Sequence, residues 1–290
     1  MMIWILIIII LFIYFFNQKF RKVHPKSISI NTQKNIFLYW ENMPGKTKPN
    51  YLNLCYKTII KHCNKSFKIH LLDNKIIHKY LPNLRKDLDK KLTIGPAQKS
   101  DYYRYYLLYK YGGIWIDFDT IILKDLTPLF NKLNEYNFVG FGCHFRNCSK
   151  TGFPYPANWL MMSRKNDILM KNCLDKCNYY LDNYDHRLFN TKYFILGREN
   201  LTNQIKKLLY INNGWKYYHH TSICTERDSN DNKLFNRRMI SEEDIDSKCI
   251  DKSYFVPIYN TAPGFPDSFL NLTEKEIMEK NMLISKYFRK

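Results

Sequence analysis

The paired glycines Gly112-Gly113 separate two segments that cannot belong to one element, and this break constrains the middle of the chain more than any other feature. Upstream, Gly95-Pro96 is a breaker followed by a proline suited to a first helical turn, and no further breaker intervenes before Gly112, so the spacing predicts a helix up to Tyr111. Asp101, Arg104, Tyr105 and Leu108 fall at i, i+3, i+4 and i+7, which places a carboxylate and a guanidinium on one face. A solvated ion pair accounts for that spacing equally well. Downstream, Ile114, Trp115, Ile116 and Phe118 form an apolar run too short for a helix and read as a buried central strand. Side chains alternate across a strand, so Asp117 and Asp119 would share one face at its carboxyl end, where open α/β sheets keep their ligands.

Two carboxylates so placed are the hard oxygen donors that Mg²⁺ or Mn²⁺ accepts, with positions left over for phosphate oxygens and water. An Asp-any-Asp triplet alone is a weak signal, and its setting strengthens it. The array Ala97, Ser100-Asp101, Arg104, Leu108-Tyr109, Gly112-Gly113, Trp115, Asp117 and Asp119 resembles the signature of a sugar-transferase family. That family contains yeast-type initiating α-mannosyltransferases and bacterial capsular polysaccharide synthesis proteins, which are retaining glycosyltransferases of the GT-A type. The resemblance extends from about Asn35 to Leu209 and is specific within the array, where Trp115 stands in place of a more usual Tyr.

The resemblance implies a GT-A type nucleotide-diphospho-sugar transferase fold and a catalytic set of Asp101, Arg104, Asp117 and Asp119. Ser100, Asp101 and Arg104 would hold the donor's sugar and phosphates, Gly113 would let backbone approach the nucleotide sugar, and Asp117 and Asp119 would bind ribose and a Mn²⁺ or Mg²⁺ ion. Tyr39 or Trp40 would lie beside the nucleotide base, and His219 or His220 would complete the metal's coordination. The partners implied are a nucleoside diphosphate sugar and a glycan, lipid or protein acceptor.

Around this centre the chain alternates strands and helices. Asn35 to Trp40, Phe67 to Leu72, Asn137 to Phe141 and Asn158 to Ser163 read as strands, and Tyr51 to Cys63 and Lys165 to Leu181 as helices. With short helices across Asp73 to Lys91 this gives β-α-β-α-β and a mainly parallel sheet flanked by helices. Residues 142–157 lack periodicity and read as a functional loop, an acceptor lid, with Asn158 opening the next strand beside the site. Phe194 to Ile205 resembles the family's Thr-Gly-Pro segment followed by a helix, with Arg198 in place of the proline. Residues 225–253 read as a charged surface excursion and Thr273 to Arg289 as one capped amphipathic helix.

The first sixteen residues are uninterruptedly apolar and no small-residue cleavage site follows, which favours an uncleaved membrane anchor over a signal peptide. The domains are then an anchor at 1–17, a linker at 18–34 and a transferase domain at 35–290. The basic flank Lys19, Arg21, Lys22 and Lys26 would keep the domain on the cytosolic face, whereas Golgi members of such families face the lumen. The sequons at Asn64, Asn147, Asn200 and Asn271 do not decide between the two. The net charge of +19 comes from lysines dispersed through the chain, without the basic stripe or motif a nucleic-acid partner requires. Of the eight cysteines, Cys143 with Cys148 and Cys173 with Cys177 are the pairs close enough to link. The function that follows is a metal-dependent hexosyltransferase, retaining by resemblance, with a membrane-tethered glycan- or nucleotide-binding protein without turnover as the alternative.

Overall fold

Alternation along the strands sorts the apolar side chains into two layers. On β1 (Asn35–Tyr39), Ile36 and Leu38 face one way while Phe37 and Tyr39 face the other. The same division recurs downstream, with Ile114 and Ile116 opposed to Trp115 on β3 (Gly113–Ile116) and Val139 and Phe141 opposed to Phe138 on β5 (Phe138–Phe141). It holds again for Leu160 and Met162 against Met161 on β6 (Ala157–Ser163). A strand apolar on both faces must be covered on both, and helices cover it.

The computed structural model describes residues 33–91, 95–141, 156–209, 215–218, 239–241, 254–258 and 265–290, all within one compact unit, Asn31–Lys290. Its main sheet has the order β2-β1-β3-β6-β5-β7, completed by β2 (Lys68–Leu72) and β7 (Trp215–Tyr218). β1 pairs in parallel with β2 and β3, and β5 with β7, while β6 runs antiparallel to both β3 and β5. The sheet is therefore mixed, with β6 reversed among strands that otherwise point one way. A two-stranded antiparallel sheet joins β4 (Thr120–Ile122) to β8 (Phe255–Pro257), a pairing that their short sequences do not announce.

One face is covered by α1 (Asn50–Cys63), by α6 (Glu274–Glu279) and by α7 (Leu283–Arg289), through Tyr51, Leu52, Ile59, Ile277, Ile284 and Phe288. The other is covered by α2 (Pro96–Tyr111), α3 (Ile168–Asp182), α4 (His186–Thr191) and α5 (Arg198–Leu209), through Tyr105, Leu108, Met170, Leu181, Phe189, Leu201 and Ile205. The single C-terminal helix expected from the sequence is two helices. Lys280 and Met282 both adopt extended backbone, so the capping box at Thr273 starts α6 alone. Asp167 caps α3 by accepting from the backbone of Leu169 and Met170, three residues later than the expected start. Cys173 and Cys177, one turn apart on α3, are buried free thiols.

Among the described residues no helix is long and apolar enough to cross a membrane. The apolar run at 1–16, the linker to residue 32, and most of the expected lid and of the 225–253 excursion lie outside the described residues.

Helix α2 and β3 meet through the two glycines. Gly112 ends the helix at φ 66° and donates its N–H to the Leu108 carbonyl at 2.9 Å. Gly113 has φ 110°, and a Cβ there would lie 2.6 Å from the Asn35 carbonyl oxygen at the start of β1. Both conformation and contact exclude a side chain. Gly113→Ala is expected to lower stability by about 1–3 kcal/mol in urea unfolding. An alanine variant as stable as the parent would mean that the β1–β3 contact yields without cost.

Candidate active site

The helix spacing that set Asp101 and Arg104 one turn apart creates a buried pair in place of a solvated one. Asp101 is 7% exposed and Arg104 3%. Arg104 reaches from α2 to the carboxyl end of β3: its Nη2 lies 3.0 Å from Asp101 Oδ1 and its Nη1 3.2 Å from Asp117 Oδ1. The guanidinium also donates to the Ser100 carbonyl at 3.1 Å, to Ser100 Oγ at 2.7 Å and to the Asn158 carbonyl, and it stacks over Trp115 at 5.0 Å. Burial alone would lower the Arg104 pKa, and Asp117 and Asp101 more than offset it, so the guanidinium remains charged.

Asp101 accepts a second hydrogen bond from Asn158 Nδ2 at 2.7 Å, which joins β6 to α2. Burial pushes its carboxyl up to about 7, against the pull of Arg104 and Asn158 and with Asp117 adding repulsion. Gly197, in the turn before α5, packs against this pair; a Cβ there would lie 2.5 Å from both Asp101 Oδ2 and Asn158 Nδ2. The Tyr105 hydroxyl holds that turn by donating to the Gly197 carbonyl at 2.8 Å. Asn158 was within reach of sequence reasoning as a polar strand start. The contact of Tyr105 with Gly197 spans 92 residues and enters only with the tertiary structure.

Strand β3 ends at Ile116, and Phe118 and Asp119 form a turn that leads directly into β4. Regular pairing on β3 therefore stops one residue before Asp117, and Asp119 lies in the turn, so strand alternation alone does not fix the directions of these two side chains. Instead each is held by its backbone: Asp117 N–H donates to the Trp159 carbonyl at 2.7 Å, and the Asp119 carbonyl accepts from Ile258 at 2.8 Å. The half-buried Asp117 carboxylate accepts from Trp115 Nε1 at 2.7 Å, and burial raises its pKa against the opposing Arg104 and Trp115. Asp119 lies within electrostatic reach of Tyr51 and Cys55 on α1, both already raised by burial and raised further by its charge.

The other residues singled out in the sequence spread over a wider area. Ser100 is the acceptor that steadies Arg104. Gly113 sits at the opposite end of β3 from Asp117, roughly 13 Å along the strand at its usual rise, where it meets Asn35. Its role in the structure is thus the β1–β3 approach. Tyr39 is 5% exposed, packs edge-on against Tyr103 with centroids 4.9 Å apart, and donates to Glu41 at 2.6 Å, so its ring belongs to the core. Trp40 is half-buried beside Phe118 at 5.8 Å and donates to Asn42 at 2.7 Å, leaving it as the surface ring of the two. His219 and His220 lie outside the described residues.

Asp101, Asp117 and Asp119 set three carboxylates against one guanidinium, a donor set that repels a phosphorylated ligand unless a cation accompanies it. The oxygen chemistry of Asp117 and Asp119 fits Mg²⁺ or Mn²⁺. Among the described residues no group of three or more His, Cys, Asp or Glu converges to enclose a metal, so protein ligands alone do not cage an ion there.

The family profile described as capsular polysaccharide synthesis protein matches residues 13–236. The O-glycosyltransferase PaGT of Phomopsis amygdali is 25% identical over 163 residues, which are 50% of this chain and 38% of that protein. The O-glycosyltransferase braB of Annulohypoxylon truncatum is 24% identical over 174 residues, 49% of this chain and 38% of that one. The chain thus spans less than two fifths of the length of these curated relatives. Among solved structures, the PaToxG glycosyltransferase aligns over 96% of this chain and 93% of its own at 15% identity and TM-score 0.42. A glycosyltransferase involved in the glycosylation of the major capsid of PBCV-1 aligns over 79% and 94%, at 10% identity and TM-score 0.43.

Proposed function

Because the chain belongs to the capsular polysaccharide synthesis protein family, we propose that it is a glycosyltransferase that moves a sugar from a nucleoside diphosphate sugar to a hydroxyl of a glycan, lipid or protein. The observation that carries this reading is the buried bridge from Asp101 through Arg104 to Asp117, which joins a helix to the carboxyl end of a central strand. Here the guanidinium serves two carboxylates while Asn158 and Gly197 close on the first of them, an arrangement that holds these side chains in one geometry. The names of PaGT and braB as O-glycosyltransferases support an oxygen acceptor.

In this mechanism Asp101 accepts hydrogen bonds from the donor's sugar hydroxyls, and Arg104 and Asn158 hold its carboxylate in place. Trp40 offers its partly exposed ring to the nucleotide base. Asp117 and Asp119 would hold a divalent cation, which when bound supplies positive charge beside the departing diphosphate. Transfer proceeds with retention, as the resemblance of the signature implies, the departing phosphate taking the acceptor's proton.

The test is a panel of nucleotide sugars incubated with the purified protein and Mn²⁺, scored for released nucleoside diphosphate. Cleavage of one donor is expected, along with loss of cleavage in Asp101→Asn that exceeds its loss of nucleoside diphosphate affinity, because Asp101 orients the sugar. Nucleotide binding without cleavage of any donor, with or without acceptor, would assign the protein to binding instead.

A further inference from the structure

Phe118, the residue between Asp117 and Asp119, is in contact with a cation that the reading above does not use. Its ring is buried, and side chains from the β1–α1 connection and from α1 pack on it. Trp40 lies at 5.8 Å and Tyr56 at 5.9 Å between ring centroids, and the Lys48 Nζ stands 5.2 Å from the Phe118 centroid. One ring thus gathers both ends of that connection onto the 117–119 turn. Lys48 is set at the anchored end of the loop. It precedes Pro49, which disfavours helical backbone at the residue before it, and α1 is tied down where it starts by Asn50 Nδ2, which donates to the Leu272 carbonyl at 2.9 Å.

The half-buried Lys48 makes no hydrogen bond or ion pair among the described residues. The carboxylate within its electrostatic reach, Glu274 on α6, is already bonded at both oxygens, by Lys57 Nζ and by Asn53 Nδ2, the latter at 3.0 Å. Burial lowers the pKa of the ammonium, and Glu274 offsets this only in part. The Phe118 ring takes one side of the ammonium and leaves its N–H donors without a protein acceptor. The site beside it is short of positive charge. Arg104 is taken up by Asp101 at 3.0 Å and Asp117 at 3.2 Å, so a diphosphate drawn there needs a further cationic side chain as well as the divalent ion.

We propose that the Lys48 ammonium binds the donor's nucleotide by donating to an oxygen of the phosphate attached to the ribose. The inference rests on the glycosyltransferase reading, in which the base lies on Trp40 and the diphosphate beside Asp117 and Asp119. Lys48 and Trp40 share the Phe118 ring, and the backbone of that same residue joins the two carboxylates, so the ammonium stands on the base side of the diphosphate. The bond that breaks in transfer lies at the far phosphate, where charge grows as the sugar leaves. The ribose-linked phosphate carries its charge in the bound donor and in the transition state alike. Lys48 therefore contributes to donor affinity more than to the rate of the bound complex.

Lys48→Met keeps an unbranched apolar stem on Phe118 and removes the ammonium. For the cleaved donor KM is expected to rise roughly tenfold with a smaller change in kcat, and Lys48→Arg to recover most of the loss. Calorimetric titration with UDP and GDP, with UMP and GMP, and with uridine and guanosine locates the contact. The diphosphate and monophosphate of the bound base lose affinity about equally, whereas the nucleoside, which has no phosphate, loses none. Equal loss for the nucleoside would mean that Lys48 acts through Phe118 on the base side. Loss for the diphosphate alone would move the contact to the far phosphate. Either result, or unchanged nucleotide affinity, overturns the assignment of Lys48 and leaves the transferase reading in place. A parent protein that binds neither UDP nor GDP overturns the transferase reading and this contact with it.

Discussion

Arg104→Met is expected to destabilise the protein by about 3–5 kcal/mol and to abolish donor cleavage, the largest combined effect of any single substitution in the site. Methionine fills a similar volume, so the loss comes from charge. Without the guanidinium, Asp101 loses its ion pair at 3.0 Å and Asp117 its pair at 3.2 Å, and two carboxylates already raised by burial face each other unpaired. The pH dependence follows from the sign of those shifts. An acid whose folded pKa is raised binds its proton more tightly folded than unfolded, so its penalty is full above the folded pKa and fades as pH falls towards the unfolded value. With Arg104 in place the Asp101 carboxyl stands at about 7 against 3.8 for the unconstrained group, and without Arg104 it rises further. The Asp101 part of the Arg104→Met deficit should therefore be greatest well above pH about 7 and narrow as pH falls to about 7, where the Asp101 carboxyl of the parent takes up its proton as well, and adding Asp101→Asn and Asp117→Asn should recover part of the deficit. Thermal melts across that range are the measurement. A deficit that does not change with pH would place the loss in packing against Trp115 instead of in the carboxylates.

Asp119→Ala is expected to lower donor cleavage on the order of 1,000-fold or more while leaving stability close to that of the parent. The residue lies in the turn with Phe118, and the Tyr51 phenol and Cys55 thiol that its charge raises are protonated and neutral at neutral pH, so removing that charge leaves their contribution to stability unchanged. The backbone bond from Ile258 to its carbonyl survives the substitution. Asp117→Ala is expected to match the loss of activity but to differ in stability by about 1–3 kcal/mol, because it strands the Trp115 Nε1 donor in a side chain only 1% exposed. Donor hydrolysis with a Mn²⁺ titration, read beside thermal unfolding, separates the two. Near-parental turnover in either variant at saturating Mn²⁺ would remove that carboxylate from the site.

Much of the frame was legible because it depends on local rules. The Gly95-Pro96 and Gly112-Gly113 breaks bound α2, and apolar runs located β1, β2, β3, β5 and β6 to within a residue or two. Spacing placed Asp101 and Arg104 on one helix face. The direction of β6 was not legible, since a strand buried on both faces reads the same whichever way it runs. Nor was the β4–β8 pair, whose strands of three residues carry no periodicity, or the interruption of the C-terminal helix between α6 and α7.

The sequence by itself determined which residue types stand near the carboxyl end of the third strand, because covalent spacing and helical or pleated periodicity act over a few residues. Only the tertiary structure decided what those residues do to one another. Burial turned an ordinary i,i+3 ion pair into a guanidinium shared by two carboxylates, and the early end of β3 gave Asp117 and Asp119 different neighbours. It also brought Gly197 against Asp101 and to Tyr105, the latter 92 residues away in sequence. Such contacts depend on how layers pack and on what they exclude from water, and neither quantity is written in the spacing of residues along one element.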